Sequence, residues 1–281
     1  MKNYLQLLSR IISEGEHRTN RTGIDALSLF CPESLRFDLR EGLPILTTRK
    51  QNFSLAVKEI LWFMRGETNT DTLDCKIWDA WKKEDGTIGP MYGSQLRNFN
   101  GAGYDQVQRV IKNLKENPVD RRHLMTTFNP LQAEEGVLWP CHGISIQFNC
   151  SPCNEACEII EDRSPIWYLD MHMHMRSNDF ILGAPTNITE YCLLLTLIAR
   201  EVNMIPRYYV HTATDAHIYL NHLEGAKEQL LREPLTLPRV EIANKPLPYP
   251  GCPRDGSVLE PEDFKLIGYE SYGPIKYSVA V

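Results

Sequence analysis

The residues with the strongest chemical potential lie in Trp139-Pro140-Cys141-His142, where one cysteine sits between a proline and a histidine just ahead of the apolar run Gly143 to Phe148. A thiol attacks as the thiolate, and a thiolate forms near neutral pH only where cations, helix N-termini or hydrogen bonds lower its pKa. Candidate cations stand in Arg121-Arg122 and at Arg176 in Met175-Arg176-Ser177-Asn178-Asp179. The plain alternative is a buried structural thiol, because free cysteine is among the most buried residue types. A second candidate is Glu59, set among Val57, Ile60, Leu61 and Trp62. A carboxylate desolvated there would have its pKa raised, which suits proton transfer; an exposed Glu paired with Lys58 or Arg65 is the competing reading.

The elements that must hold these groups can be read from periodicity. Leu5, Leu8, Ile11 and Ile12 recur at helical spacing over Met1 to Ser13, with Gly15 as a stop. A polar loop, Glu16 to Gly23, carries Arg21. Strand alternation follows within Ala26 to Leu39. Helices are predicted from about Phe53 to Met64, from Asp105 to Asn117 and, most strongly, from Ile188 to Ile205 with the stripe Tyr191, Leu194, Leu195, Ile198 and Val202. Trp78 and Trp81, three apart, are expected on one helical face. Arg121 and Arg122 would point apart on a strand. Ile144 to Phe148 and Trp167 to Met175 read as paired strands, with Met171, Met173 and Met175 on one side and His172 and His174 on the other. Tyr208-Tyr209-Val210 leads as a strand into Asp215 to His222, where His217 and Tyr219 project to one side. The tail from Leu266 to Val281 alternates again.

Composition narrows the class. The 281 residues, 42% hydrophobic and 23% charged, are enough for one large domain. The absence of repeats, linkers or low-complexity stretches favours a single α+β domain over 1–281. A net charge of −6 argues against broad attraction to nucleic acid or membrane, so a phosphate would need a local arginine cluster. No apolar run spans a bilayer and Met1 to Ile12 is interrupted by Lys2, Gln6 and Arg10, which predicts a cytoplasmic protein. Eight cysteines in such a chain are expected to be reduced. Cys150, Cys153 and Cys157 lie in an insert at about 149–166; their spacing invites zinc, but there is no second CxxC, and a loop of scattered thiols with no metal is the preferred reading.

Taken together, Asn20-Arg21-Thr22-Gly23, Leu46 to Lys50, Glu59 to Phe63, Ile77-Trp78-Asp79, Gly89 to Gly93, Asp120-Arg121-Arg122, Pro140-Cys141-His142, Arg176 to Asp179, Asn187-Ile188 and Asp215 to Tyr219 resemble, in order and along the whole chain, the thymidylate synthase family, including its pyrimidine C5 hydroxymethylase branch. The resemblance implies a large mixed β-sheet packed by helices and a sheet-to-sheet homodimer. It also implies one-carbon transfer from 5,10-methylenetetrahydrofolate to C5 of dUMP through a covalent adduct at C6.

In that chemistry Cys141 is the nucleophile and Glu59 moves protons through ordered water, while Tyr92 assists removal of the C5 proton. The resemblance assigns the phosphate to Arg21 and Arg176, with Arg121 and Arg122 donated across the dimer, and places Ser177 on the nucleotide. His217 and Tyr219 hold the deoxyribose hydroxyl. Asn187 reads the base: a carboxamide offers acceptor and donor to uracil N3–H and O4, and relatives acting on cytosine resemble the family with Asp at this place. Asp179 binds the pterin, with Trp78, Trp81, Gly183 and Val281 completing the folate side. Two outcomes stay open after carbon transfer. Hydride from the folate gives dTMP and dihydrofolate, whereas entry of water gives the 5-hydroxymethyl nucleotide and tetrahydrofolate. Trp78 and the closing tail favour the first. Against it, the family's usual Gln-Arg-Ser-Cys-Asp is Met175 to Asp179 with Asn178, its Gln-Trp-Arg is Gln95-Leu96-Arg97, and its His-Pro is Gly273-Pro274 after Tyr272. A zinc-stabilised binding protein with a decayed site is the reading from another class.

Overall fold

The computed structural model describes residues 1–153 and 166–277, so Cys157, Val281 and most of the expected insert lie outside the described residues. Six helices run through them: α1 (Lys2–Glu14), α2 (Phe53–Met64), α3 (Gly93–Arg97), α4 (Gln106–Glu116), α5 (Gly183–Glu201) and α6 (Leu223–Leu230). The strands are β1 (Glu16–Arg18), β2 (Ala26–Phe30), β3 (Leu35–Asp38), β4 (Leu124–Met125), β5 (Ser145–Pro152), β6 (Trp167–Asp179), β7 (Ile205–Tyr219), β8 (Arg239–Ile242) and β9 (Phe264–Ile267).

Seven of these strands form one mixed sheet ordered β1-β2-β7-β6-β5-β4, with β3 also pairing along β7, while β8 and β9 make a separate pair. β6 and β7 are parallel and the other neighbours antiparallel. The alternation expected in β6 is observed: Met171, Met173 and Met175 are buried, and His172 and His174 are half-buried on the opposite face. One contiguous core joins the methionine face of the sheet to α1, α2 and α5. A register shift between Leu169 and Met171, opposite Pro206 to Tyr209, bulges β7. Pro206 has no N–H to give the ladder, and a bulge strengthens local twist. Beyond it the register sets Ser177 beside Asp215 and Asp179 beside His217, so two polar motifs far apart in the chain meet at one end of the sheet.

Helices α2 and α4 start and stop where the periodicity predicts, and Asp105 caps α4 by accepting the Gln108 N–H. Four expectations are corrected. The helix expected from Ile188 to Ile205 is α5, five residues earlier at its start, because the Asp179 carboxylate accepts the Ile181 and Leu182 N–H groups and nucleates the turn ahead of the apolar stripe. It ends at Glu201, where Asn203 enters positive φ, and Ile205 already belongs to β7. Trp78 and Trp81 sit in successive turns rather than on a helix, and Arg121-Arg122 occupy a bend before β4 rather than a strand. The tail alternation continues as a strand only through Ile267; from Tyr272 to Tyr277 the chain is fastened by the Tyr272 N–H to Thr47 O and by Arg232 to Gly273 O, with Tyr277 against Gly225 on α6.

Candidate functional site

Cys141 lies in the loop that enters β5, and its backbone is held from two sides. Its N–H donates to the Tyr92 hydroxyl at 3.0 Å, and its carbonyl accepts the Arg176 N–H at 2.8 Å. Gly143 makes the turn at φ 69°, where a Cβ would meet the Tyr191 hydroxyl at 2.7 Å and Thr127 at 2.8 Å, so only glycine fits. Arg176, on β6, reaches back with Nε to Pro140 O and Nη2 to Trp139 O, and Nη2 lies 3.4 Å from Cys141 Sγ. The cation is beside the thiol, as expected. Net effect runs the other way from the expectation of a favoured thiolate: burial raises the Cys141 pKa, and the opposing pull of Arg176 and Arg21 reduces that rise without reversing it. Arg176→Ala is therefore expected to slow alkylation of Cys141 several-fold at pH 8, read by peptide-resolved mass spectrometry; an unchanged rate would mean that the guanidinium does not act on the thiol.

Behind the cysteine an aromatic stack fixes the walls. The Tyr92 ring lies on His142 with centroids 4.1 Å apart and planes 10° apart, next to Phe63 and Trp78. Tyr92 holds this place with φ 44° and ψ −100°, a strained conformation for a residue with a Cβ. His142 is neutral, its pKa pushed down to about 3 by burial first and by His211 second, and its Nδ1 shares a 2.8 Å hydrogen bond with the Tyr191 hydroxyl. Glu59 on α2 settles the choice between exposed and desolvated: it is 2% exposed and accepts the Trp78 Nε1–H at 2.9 Å. Burial raises its pKa to about 7, against the smaller opposing effect of that hydrogen bond. Trp81 packs edge-on against Trp78, with its Nε1 buried and unpartnered among the described residues.

The opposite side is built by β6, β7 and the start of α5. Asp215 gathers Ser177 Oγ at 3.1 Å, Ser28 Oγ and, at 3.3 Å, His217 Nδ1. Burial acts to raise its pKa, but the groups around it, His217 first, hold it at about 2. Burial raises the Tyr219 pKa and Asp179 adds to the rise, while Arg21 and the Thr22 side chain oppose it. On α5, Asn187 Nδ2 reaches Glu190 Oε2 at 3.4 Å one turn on. A Cβ on Gly183 would lie 3.5 Å from Asn187 Oδ1 and 3.7 Å from Asn178 Nδ2, so the missing side chain leaves space that both amides border.

Cys141, Arg176, Tyr92, Glu59 and Trp78 are thus linked by direct contacts, and Ser177, His217, Asp179, Asn187 and Gly183 meet where β6, β7 and α5 converge. Arg121 and Arg122 are not in either group; with Arg109, Leu124 and Gln147 they line a surface depression at the far edge of the sheet. Sequence reasoning named His142 and Asp215 in motifs and Tyr191 in an apolar stripe but gave none of them, nor Glu190, a role in the site. Glu190 is fully buried, and burial followed by the charge of Glu59 pushes its pKa well above the carboxylate range. A Glu among apolar neighbours on a helix is the signal that picked out Glu59, and it applies equally to Glu190. Among the described residues no group of three or more His, Cys, Asp or Glu is arranged to hold a metal; Cys150 Sγ sits 3.6 Å from Met204 Sδ, and burial pushes its pKa up to about 12. Among the described residues no helix is long and apolar enough to cross a membrane.

The sequence pattern defining the thymidylate synthase family matches residues 2–281. The chain is also 36% identical, over 315 aligned positions covering all of both chains, to the thymidylate synthase of Mesoplasma florum.

Proposed function

Since the chain belongs to the thymidylate synthase family and is an enzyme of it, we propose that it methylates dUMP at C5 to give dTMP, with 5,10-methylenetetrahydrofolate as co-substrate. The observation that carries the reading is the Cys141 thiol held 3.4 Å from Arg176, on a backbone pinned to Tyr92, with a carboxyl titrating near neutrality behind it. Cys141 Sγ bonds to uracil C6, and the C5–C6 π pair moves to C5 and O4, making C5 nucleophilic. Anionic phosphate held by Arg176 and Arg21 is accompanied by the same positive field that draws the thiol toward thiolate. Arg121 and Arg122 serve the phosphate of a partner subunit, which accounts for their distance from Cys141 in their own chain; sedimentation as a monomer at assay concentration would remove that role.

Glu59 exchanges protons with the ring oxygen and C5 through water, and the Tyr92 hydroxyl helps take the C5 proton before the Sγ–C6 bond breaks and the thiolate returns. Ser177, His217 and Tyr219 bind the nucleotide, His217 and Tyr219 at the ribose hydroxyl. Asn187 reads uracil; Asn187→Asp is expected to move turnover toward dCMP, checked with both nucleotides in competition, and an unchanged preference would sink this assignment. The folate side fits a flat heterocycle: Trp78 and Trp81 form its wall, the unpartnered Trp81 Nε1 offers a donor, Asp179 offers a carboxylate, and bare Gly183 leaves room. When bound, the folate supplies the carbon and, for methylation, the hydride. Val281, also expected on this side, lies outside the described residues. The enzyme works in the cytoplasm.

Trp78, buried and tied to Glu59, supports methylation because it keeps water from the exocyclic carbon. The unpartnered Nδ2 of the Asn178 amide favours the second reading, dUMP hydroxymethylation, because a donor there can hold a water. Incubation with dUMP and methylenetetrahydrofolate separates them. Dihydrofolate with a nucleotide heavier by CH2 is the expected result; tetrahydrofolate with a nucleotide heavier by CH2O would establish the hydroxymethylase.

A further inference from the structure

Asn178 is buried, and its two amide atoms have different fates. Oδ1 is 2.9 Å from His211 Nε2, whose Nδ1 is 2.9 Å from the Tyr209 hydroxyl. Nδ2 has no partner among the described residues and faces the space beside Gly183 that Asn187 Oδ1 also borders. Buried donors without partners are rare and costly in folded proteins, so such a group is a candidate for ligand binding. The hydrogen-bond chain fixes which way the amide points. His211 is neutral, its pKa driven down to about 3 by burial first and then by His172, and a neutral imidazole carries one N–H. An amide oxygen only accepts, so the proton sits on Nε2 and the Tyr209 O–H donates to Nδ1. Turning the amide over would force the ring proton onto Nδ1 and leave the Tyr209 hydroxyl hydrogen buried without an acceptor among the described residues.

We infer that Asn178 is a base-reading residue that works as a pair with Asn187: Asn187 Oδ1 accepts N3–H of the pyrimidine while Asn178 Nδ2 donates to the adjoining O4. The assignment rests on dUMP being the substrate. It also gives the Glu190 contact a purpose, because with one Asn187 amide hydrogen turned to Glu190 a second donor beside Asn187 Oδ1 completes the edge. An HN–C=O edge matches this donor and acceptor; cytosine, with an acceptor at N3 and an amino group at C4, opposes both. His211 and Tyr209 are positioning residues, acting through Asn178.

The test is calorimetric titration of dUMP and dCMP into the wild type, Asn178→Asp and Asn178→Ala, with thermal melting as the check on folding. Asp keeps an oxygen for His211 and replaces the donor by an acceptor; Ala removes both. The ratio of dUMP to dCMP affinity is expected to fall at least about tenfold in Asn178→Asp, and dUMP affinity about tenfold in Asn178→Ala with dCMP less affected. A merely structural Asn178 would weaken both nucleotides alike. The inference is overturned if the ratio stays within twofold in both variants, or if titrating the reduced folate into the dUMP complex shows the loss confined to folate affinity, which would give the donor to the pterin's lactam edge instead. A wild type that binds neither nucleotide would overturn the dUMP reading, and this inference with it; a wild type that binds dUMP with insensitive variants overturns this inference alone.

Discussion

Replacing Cys141 by serine is expected to lower turnover of dUMP at least about ten-thousand-fold while the thermal melt stays within a few degrees of wild type. The size of the loss follows from the absence of any substitute nucleophile next to Arg176: among the described residues the neighbouring groups are the Trp139 and Pro140 carbonyls, the Tyr92 hydroxyl and the neutral His142 imidazole. A serine hydroxyl ionises far above any working pH, and His142 does not serve as its base because Tyr191 and the Tyr92 ring already occupy it. The fold should tolerate the change, since the loop is held by backbone bonds to Tyr92 and Arg176 rather than by the thiol. The decisive measurement uses a nucleotide with fluorine at C5, which cannot leave as a proton. The wild type should gain the mass of nucleotide and folate after denaturation, and the serine variant none. An adduct on the variant, or on a peptide lacking residue 141, would remove Cys141 from the reaction.

What the sequence disclosed and what it hid divide along a physical line. Local signals carried α2 and α4: α4 is an amphipathic stripe capped by Asp105, and α2 is a dense apolar run from Phe53 to Met64 that is buried over most of its length. The same method placed α5 five residues late, since Gly183, Pro185, Thr186 and Asn187 show no apolar period and their turn depends on the Asp179 carboxylate. Trp78 and Trp81 have helical spacing, yet turns bring the rings edge to edge and Glu59 takes the indole N–H. Glu59 and Cys141 stood out as odd residues in apolar settings. The pairing of Asn178 with His211 across 33 residues, and of Ser177 with Asp215 across 38, had no local trace, because it depends on the parallel register of β6 and β7 and on the bulge beside Pro206 that sets it. The resemblance to a family named Asn178 as a departure; the neighbour that makes sense of it is visible only in the fold.

Glu59→Gln is expected to cost turnover about a hundred- to ten-thousand-fold and, at the same time, to make the protein more stable at neutral and alkaline pH. The carboxyl is buried with the Trp78 N–H as its hydrogen-bond donor, and its pKa is raised from 4.5 to about 7. A group whose folded pKa is raised contributes stability that is fully present below the unfolded value and is lost as pH rises through the folded one. Wild-type stability should therefore decline between about pH 4.5 and 7, by roughly 3 kcal/mol for a shift of this size. Glutamine has nearly the same volume, keeps an oxygen for the Trp78 N–H and does not titrate. Urea unfolding should show the variant ahead by about 1 kcal/mol at pH 5 and about 3 kcal/mol at pH 8. Removing the Glu59 charge also removes one of the two effects that raise Glu190, so that carboxyl adds to the gain rather than offsetting it. A variant less stable than wild type at both pH values would mean that Glu59 is held as a partnered carboxylate, and proton transfer would have to be assigned elsewhere. The expected opposite signs of stability and activity express the same cause: a carboxyl kept dry enough to titrate near pH 7 can both give and take a proton there, and the fold carries the cost of keeping it so.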